Sequence, residues 1–477
     1  MKRKMHSKIA TGFVSSLAMV SLAISGNAFA DKVKHQNKVA AKPAAKVIHH
    51  HHRKLHKLHK TADGWELGQG WLLTSTGGLS YVHPNDDSYW VKVSGTVRLD
   101  ETVYMGNYRD KGTAQFQSGA LLRTADLYLD GGLGKNWEYT ISLDFAESAG
   151  SHFGFGDTWL AYSGFMENNQ VFVGQVAGNW FGLDNSNSTS WNAFLEKSIQ
   201  SSAFYIGDGL GVMTDFWWDM GAVTLVAMQP EQGSNGIAGV RDRWKGTARA
   251  TIAPKHEAGD VWHFGVSGAW REMISSLNGT AFPNAGNPTG GGVNYTARPP
   301  ARSRNTVALL NTASGNGGVD SVLNGQNIVA NNTRHFNVEA ARQVGPFMLE
   351  GEYTNVFVHR MSGYLGTLRF SGYNVQSRYL LTGEYHQYDV RDGQFGAVNP
   401  VGPYGAFEIA ARYDFVDLNN KDVRGGMEHD VTVGFNWFVN KQVRLSMNYV
   451  HASIHPALDA QQRNLDIIGM RTQIRFK

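Results

Sequence analysis

Eight arginines stand on the polar side of segments that alternate strictly between apolar and polar residues: Arg98, Arg249, Arg271, Arg378, Arg412, Arg444, Arg471 and Arg475. A guanidinium stays charged at any physiological pH, is planar, and offers a fork of N–H donors that fits phosphate or carboxylate two bonds at a time. Several of them on one surface replace part of an anion's hydration shell and draw it inward, which is the chemistry of binding and passage. The same stripes carry Asp100, Glu138, Asp144, Glu339, Glu350, Glu352, Glu408, Asp414 and Asp430. Two uses therefore compete for each arginine: pairing with an acid on a neighbouring strand, or forming an anion path. Enzymatic patterns are thin. No Ser/His/Asp arrangement can be placed, and "GDGLG" at 207–211 lacks the helix that a phosphate-binding glycine loop opens. The expectation is a protein that is not an enzyme, needs no cofactor and binds no nucleic acid.

A period of two must position these groups. "GAFEIAARYDFVDL" sets Phe407, Ile409, Ala411, Tyr413 and Phe415 against Glu408, Ala410, Arg412 and Asp414. "VKVSGTVRL", "WEYTISLDF", "HDVTVGFNWFV", "QVRLSMNYV" and "IIGMRTQIRF" repeat the pattern, each bounded by Gly, Asn or Asp. Roughly fourteen to sixteen such runs occur, with no strong 3.6-residue period in the mature chain. The fold class is all-β. A soluble sandwich also alternates, but its strands are usually about five or six residues long. These runs are roughly nine to eleven residues, the length that crosses a bilayer when tilted. Aromatics gather near run ends (Trp90, Tyr104, Trp137, Phe145, Trp437, Tyr449, Phe476), as an interfacial girdle requires. A closed barrel is the sheet that leaves no unpaired edge in lipid. The reading is a closed transmembrane antiparallel β-barrel whose lumen, at about 16 strands, is wide enough to hold water. Phe407, Ile409, Tyr413 and Phe415 are expected to face lipid, and Glu408, Arg412 and Asp414 the lumen. "DGGLGKN" and "VNKQ" read as short periplasmic turns, residues 275–332 as long extracellular or lumen-entering loop, and residues 177–198 as a segment placed to fold inward and narrow the pore.

The chain divides into four parts. Residues 1–30 read as a signal peptide: four basic groups, the apolar run "IATGFVSSLAMVSLAISG" and a small-residue "NAFA" cleavage pattern ending at Ala30. Residues 31–62 form a basic, His-rich arm expected to be disordered, residues 63–89 a lead-in, and residues 90–477 the barrel. Beyond residue 60 the chain holds 31 basic and 39 acidic groups, a net charge of −8, so the overall +4 belongs to the leader and the arm. Cysteine is absent, so strand pairing and burial must hold this exported chain together. His49, His50, His51 and His52 offer imidazole nitrogens suited to weak Zn, Ni or Cu binding; the competing reading is a solvated basic arm touching lipopolysaccharide, peptidoglycan or another acidic surface. Export plus a barrel places the protein in the outer membrane of a Gram-negative bacterium.

"GGLSYVHPNDDSYWVKVSGTVRLDE", "LEKSIQSSAF", "GPFMLEGEYTNV", "GYNVQSRYLLTGE", "GAFEIAARYDFVDLNN", "FNWFVNKQVRLSMNYVHA" and the closing "IGMRTQIRF" resemble the phosphate-selective porin family, the porins O and P. The resemblance runs from about Gly77 to the end. It implies a 16-stranded barrel, an inward-folded third loop acting as constriction, a homotrimer and passive anion uptake along lumenal Arg and Lys. The family's paired arginines on the second strand fall at "LLRTADLYL", where Arg123 matches and Thr124 follows; alternation puts Arg123 on the apolar stripe. The family's Glu-Arg near the end of the third loop appears as Glu196-Lys197, and "YTARPPARSR" supplies Arg298, Arg302 and Arg304 as further anion-binding candidates. Ser190 stands before Trp191 where the family often has a lysine. Three functions follow: a porin preferring small anions, with phosphate among the candidates; a general or sugar-type porin without phosphate selectivity; or a surface adhesin or metal-capturing protein acting through the His-rich arm.

Overall fold

The computed structural model describes residues 59–60, 64–68, 70–74, 77–106, 116–146, 154–176, 178, 180–229, 242–273, 293–303, 308–313, 328, 330–360, 366–455 and 462–477. The leader, Arg304 and His49 to His52 lie outside them, as does the His-rich arm apart from residues 59–60.

The alternating runs become sixteen barrel strands, the fourth in two pieces. They are β1 (Tyr89–Met105), β2 (Gly119–Leu133), β3 (Trp137–Asp144), β4 (Gly154–Phe155 and Thr158–Tyr162), β5 (Asn169–Val176), β6 (Gly209–Trp218), β7 (Gly221–Gln229) and β8 (Asp242–Glu257). There follow β9 (Asp260–Met273), β10 (Ala330–Val344), β11 (Phe347–Arg360), β12 (Leu368–Leu380), β13 (Ala406–Asn420), β14 (Val423–Phe438), β15 (Val443–His455) and β16 (Arg463–Phe476). Each pairs antiparallel with its neighbour in sequence, and β16 closes the ring on β1 through pairs such as Arg471 with Asp100 and Gln473 with Arg98. The lead-in is folded too. Gly64–Gly68, Trp71–Thr74 and Leu79–Val82 form a small meander that pairs onto the start of β1, below the point where β16 ends. There the Thr74 hydroxyl donates to the carbonyl of Lys477 at 2.5 Å.

The wall is inverted relative to a soluble protein. Val433, Ile409 and Phe435 are 53%, 45% and 43% exposed, while Glu408, Arg412 and Asp414 on the other stripe are buried. Phe407, Phe435 and Trp437 stack side by side along the outer surface. Lipid is the solvent that makes this distribution favourable.

Among the described residues, three segments enter the barrel. The third loop, described over residues 178 and 180–208, carries two short helices, α1 (Leu183–Ser186) and α2 (Ile199–Ala203). Residues 293–303 and 308–313, from the connection between β9 and β10, fold in with a two-residue hairpin pairing Thr296–Ala297 with Leu310–Asn311. The third insertion comes from the opposite end, where most connections are short. Residues 381–405, between β12 and β13, form a hairpin of His386–Asp389 and Gln394–Val398 and turn inward. Sequence reading anticipates the first insertion, allows the second and overlooks the third.

The inner face also differs from a uniformly wet lumen. Near the long-loop end it is apolar: Tyr104, Val356, Phe370, Val416, Val450, Ile454 and Ile467 pack against Tyr295, Leu310 and Ile199 from the inserted segments. Strands that are apolar outward to lipid are here apolar inward as well, because their upper inner positions meet a dry plug. Polar inner positions begin below it.

Candidate functional site

The third loop is seated on the wall by guanidiniums. Gly182, at φ +82°, lets the loop backbone press against β11, where a Cβ would come within 2.6 Å of Glu352 Oε2. Ser198 caps α2, its hydroxyl oxygen accepting from the Ser201 N–H. Between these points the chain exposes its carbonyls to the arginines predicted from alternation. Arg444 donates to the carbonyls of Ser190 (3.1 Å) and Asn192 (2.5 Å) and to Asn436 Oδ1. Arg471 grips both oxygens of Asp100 at 2.7 Å and reaches the Leu195 carbonyl. Arg412 holds Asp414 at 2.6 Å and the Glu196 carbonyl at 3.2 Å. Arg378 joins Glu350 (2.6 Å) to the Trp191 carbonyl (3.2 Å). Arg98 donates to Gln473 Oε1 and, at 2.9 Å, to Ser190 Oγ. Arg475 lies over the Trp191 ring, 4.3 Å from its centroid.

Of the two uses weighed from sequence, pairing with an acid is met by four of the eight arginines. Arg249, Arg378, Arg412 and Arg471 are ion-paired. Arg98, Arg444 and Arg475 have no carboxylate at ion-pair distance among the described residues. They converge on Ser190, Trp191 and Asn192. Arg249 and Arg271 sit on β8 and β9, away from this group, and both are buried. Arg249 binds Glu339 and spends its remaining donors on the carbonyls of Asp392 and Gly393 in the inward turn. Arg298 is exposed in the inserted segment between β9 and β10, and Arg302 stands beside Ser202 and Glu196.

Lys197 is half-buried in the third loop. Its ammonium donates to the carbonyls of Asp184, Asn185 and Asn187, which ties the loop to itself. Burial pushes it down to about 8, against the pull of Asp184. Glu196 is the loop's hub. Burial works against its charge, but Arg123, Arg302 and Arg471 outweigh that and hold its carboxyl well below the usual carboxylate range.

Arg123 departs from the alternation argument. A bulge between Arg98 and Leu99 breaks the register opposite it, so Leu122 faces outward while Arg123 and Thr124 both serve the inner side. Arg123 then makes a two-bond contact with Glu196, at 2.8 and 3.1 Å. The second-strand cation is therefore in the lumen after all.

The inward turn adds residues that sequence reading did not single out. His386 Nε2 lies 2.6 Å from Glu408 Oε2, and the Tyr388 hydroxyl is 2.7 Å from His263 Nδ1. The Phe395 N–H donates to Asn187 of the third loop, and Arg391 stacks over Trp217 and bonds Gln170. The turn leaves the wall at β12 and β13 and reaches β5, β6 and β8, crossing the lumen.

A family model described as phosphate-selective porin O and P matches residues 91–476. Porin O of Pseudomonas aeruginosa is 28% identical over 414 residues, covering 82% of this chain and 88% of that protein. An uncharacterized protein of Caulobacter vibrioides is 26% identical over 380 residues, covering 75% and 68%. Among solved structures, OmpT, an outer membrane protein of Vibrio cholerae, superposes with a TM-score of 0.51 at 10% identity, covering 82% of this chain and 98% of that one, a likeness of fold. A sixteen-stranded barrel with an inward third loop and a family match along nearly its whole length leads to one assignment: the chain is an outer-membrane porin belonging to the phosphate-selective porin O and P family.

Proposed function

We propose that small anions, phosphate-like ones included, pass this pore guided by lumenal arginines. The observation that carries the reading is the trio Arg98, Arg444 and Arg475, gathered on Ser190, Trp191 and Asn192 without carboxylate partners among the described residues. Their donors meet neutral oxygens or a ring, so their positive charge remains available to a passing anion, and weak multi-site contact allows it to leave. Arg249, Arg378, Arg412 and Arg471 brace the wall and loop in this reading. Arg298 and Arg302 stand nearer the long-loop end, as an approach to the trio.

The test is reversal potential across a KCl gradient in planar bilayers. Wild type is expected to prefer chloride, and Arg98→Gln with Arg444→Gln to lose most of that preference and the competition by phosphate. A cation-preferring wild type would overturn the proposal. The proposed assembly is a homotrimer with outer-membrane lipid and lipopolysaccharide around its apolar belt, as the family resemblance implies; crosslinking that stops at three copies is the expected result.

A further inference from the structure

The inward acids of the barrel wall that water reaches are gathered in one sector. On β10 to β15 the inward charges of the wall are buried, whereas Asp126 and Asp130 on β2, Glu138 and Asp144 on β3 and Asp157 between the two pieces of β4 are half-buried or exposed. None of these five is in an ion pair among the described residues. Four of them have neutral donors: Tyr128 to Asp126, Thr140 to Asp130, Gln170 to Glu138 and the Ala146 N–H to Asp144. Asp126 and Asp144 stand directly opposite each other across the β2–β3 ladder, a placement that costs stability when both are charged. On β6 Asp215 is buried, its Oδ1 has no hydrogen-bond partner and its Oδ2 lies 3.9 Å from the Arg391 guanidinium. Its ladder partner Gln170 is the residue that reaches Glu138, so Asp215 adjoins the same sector. The buried acids Asp414, Glu428 and Asp430 lie elsewhere, on β13 and β14.

The basic wall is its neighbour. Lys92 pairs in register with Asp130, and Thr96 lies between Asp126 on one side and Arg475 on the other. Two strand spacings separate Asp126 from Arg475 along the wall, about 10 Å between backbones, with both side chains projecting into the lumen. A pore that served simple anions alone would gain nothing from unpaired carboxylates beside its guanidiniums.

We propose that the pore is tuned to dipolar solutes, phosphonate- or phosphate-type anions that also carry an ammonium group. The anionic end meets Arg98 and Arg475 while the ammonium meets the carboxylates of β2 and β3. This rests on the anion-passage reading above. The probes are 2-aminoethylphosphonate and ethylphosphonate, compared as blockers of chloride current through the full-length protein in bilayers. The aminated probe is expected to block at a roughly threefold lower concentration, the scale of one solvent-screened ion pair. In the Asp126→Asn/Asp144→Asn variant, and separately in Glu138→Gln, that advantage should shrink toward equality, with chloride conductance confirming a folded pore. Equal block of wild type by the two probes, or an advantage that survives both variants, overturns the dipolar reading and leaves chloride preference standing. Loss of chloride preference in wild type instead removes the anion reading itself.

Discussion

Glu196 shows how much one carboxylate can organise. It is buried near the end of the third loop and binds Arg123 through two hydrogen bonds, with Arg471 at 3.3 Å and Arg302 at 3.7 Å. Removing one partner from a buried ion network leaves the others uncompensated. Glu196→Gln is therefore expected to destabilise the folded barrel by about 3 kcal/mol, read as a lower unfolding midpoint in detergent. The third loop should also become more open to protease. The arginines were legible at this scale because a strict two-residue period fixes their face. Arg123 was not, since one extra residue in a ladder reverses parity and leaves no mark in composition. Nor does alternation distinguish Arg444, which meets carbonyls, from Arg471, which meets Asp100; that depends on how the third loop lies against the wall.

The inward turn of residues 381–405 is the element that most changes the picture of the pore. Its tip is fixed by Arg249, and Gly393, at φ +57°, lies so close to β8 that a Cβ would come within 2.7 Å of Thr251 Oγ1. Gly393→Val combines a disfavoured backbone with that overlap and is expected to lift the tip, at a cost of about 1–3 kcal/mol. Single-channel conductance should rise, because the element that crosses the lumen is loosened. Unchanged conductance would mean that ions do not pass the turn. The clue in the sequence was length: one long connection at an end where residues 219–220 and 345–346 suffice elsewhere. Its direction was hidden, because whether such a loop lies outside or folds in depends on partners in distant strands. The dry plug near the other end was similarly obscure. Runs apolar on both faces read as ordinary buried strands until residues 293–303 and 308–313 supply the surface they cover.

At the scale of the whole molecule, exposure is apolar and the interior below the dry plug is polar, as the two-solvent alternation of "GAFEIAARYDFVDL" foretold. A charge placed on the outer stripe should therefore be costly in lipid. Val433→Arg, near the middle of β14, is expected to lose about 2–4 kcal/mol, measured by denaturant unfolding in phosphatidylcholine vesicles. Tyr128→Arg, half-buried on the lumen wall, should lose less. Equal losses would contradict the assignment of the two faces.

The seam between β1 and β16 carries a consequence for how such a molecule comes into being. Every other rung joins strands that follow one another along the chain, so those hairpins can assemble as synthesis proceeds. The ring exists only once Asp100 has met Arg471, a pairing between the two ends of the barrel sequence. Until then both margins carry unbonded amides that hydrocarbon will not tolerate. Membrane entry must wait for the last strand or be assisted by something that temporarily shields those margins, and a chain cut short within β16 should remain outside the bilayer however well its first fifteen strands are made.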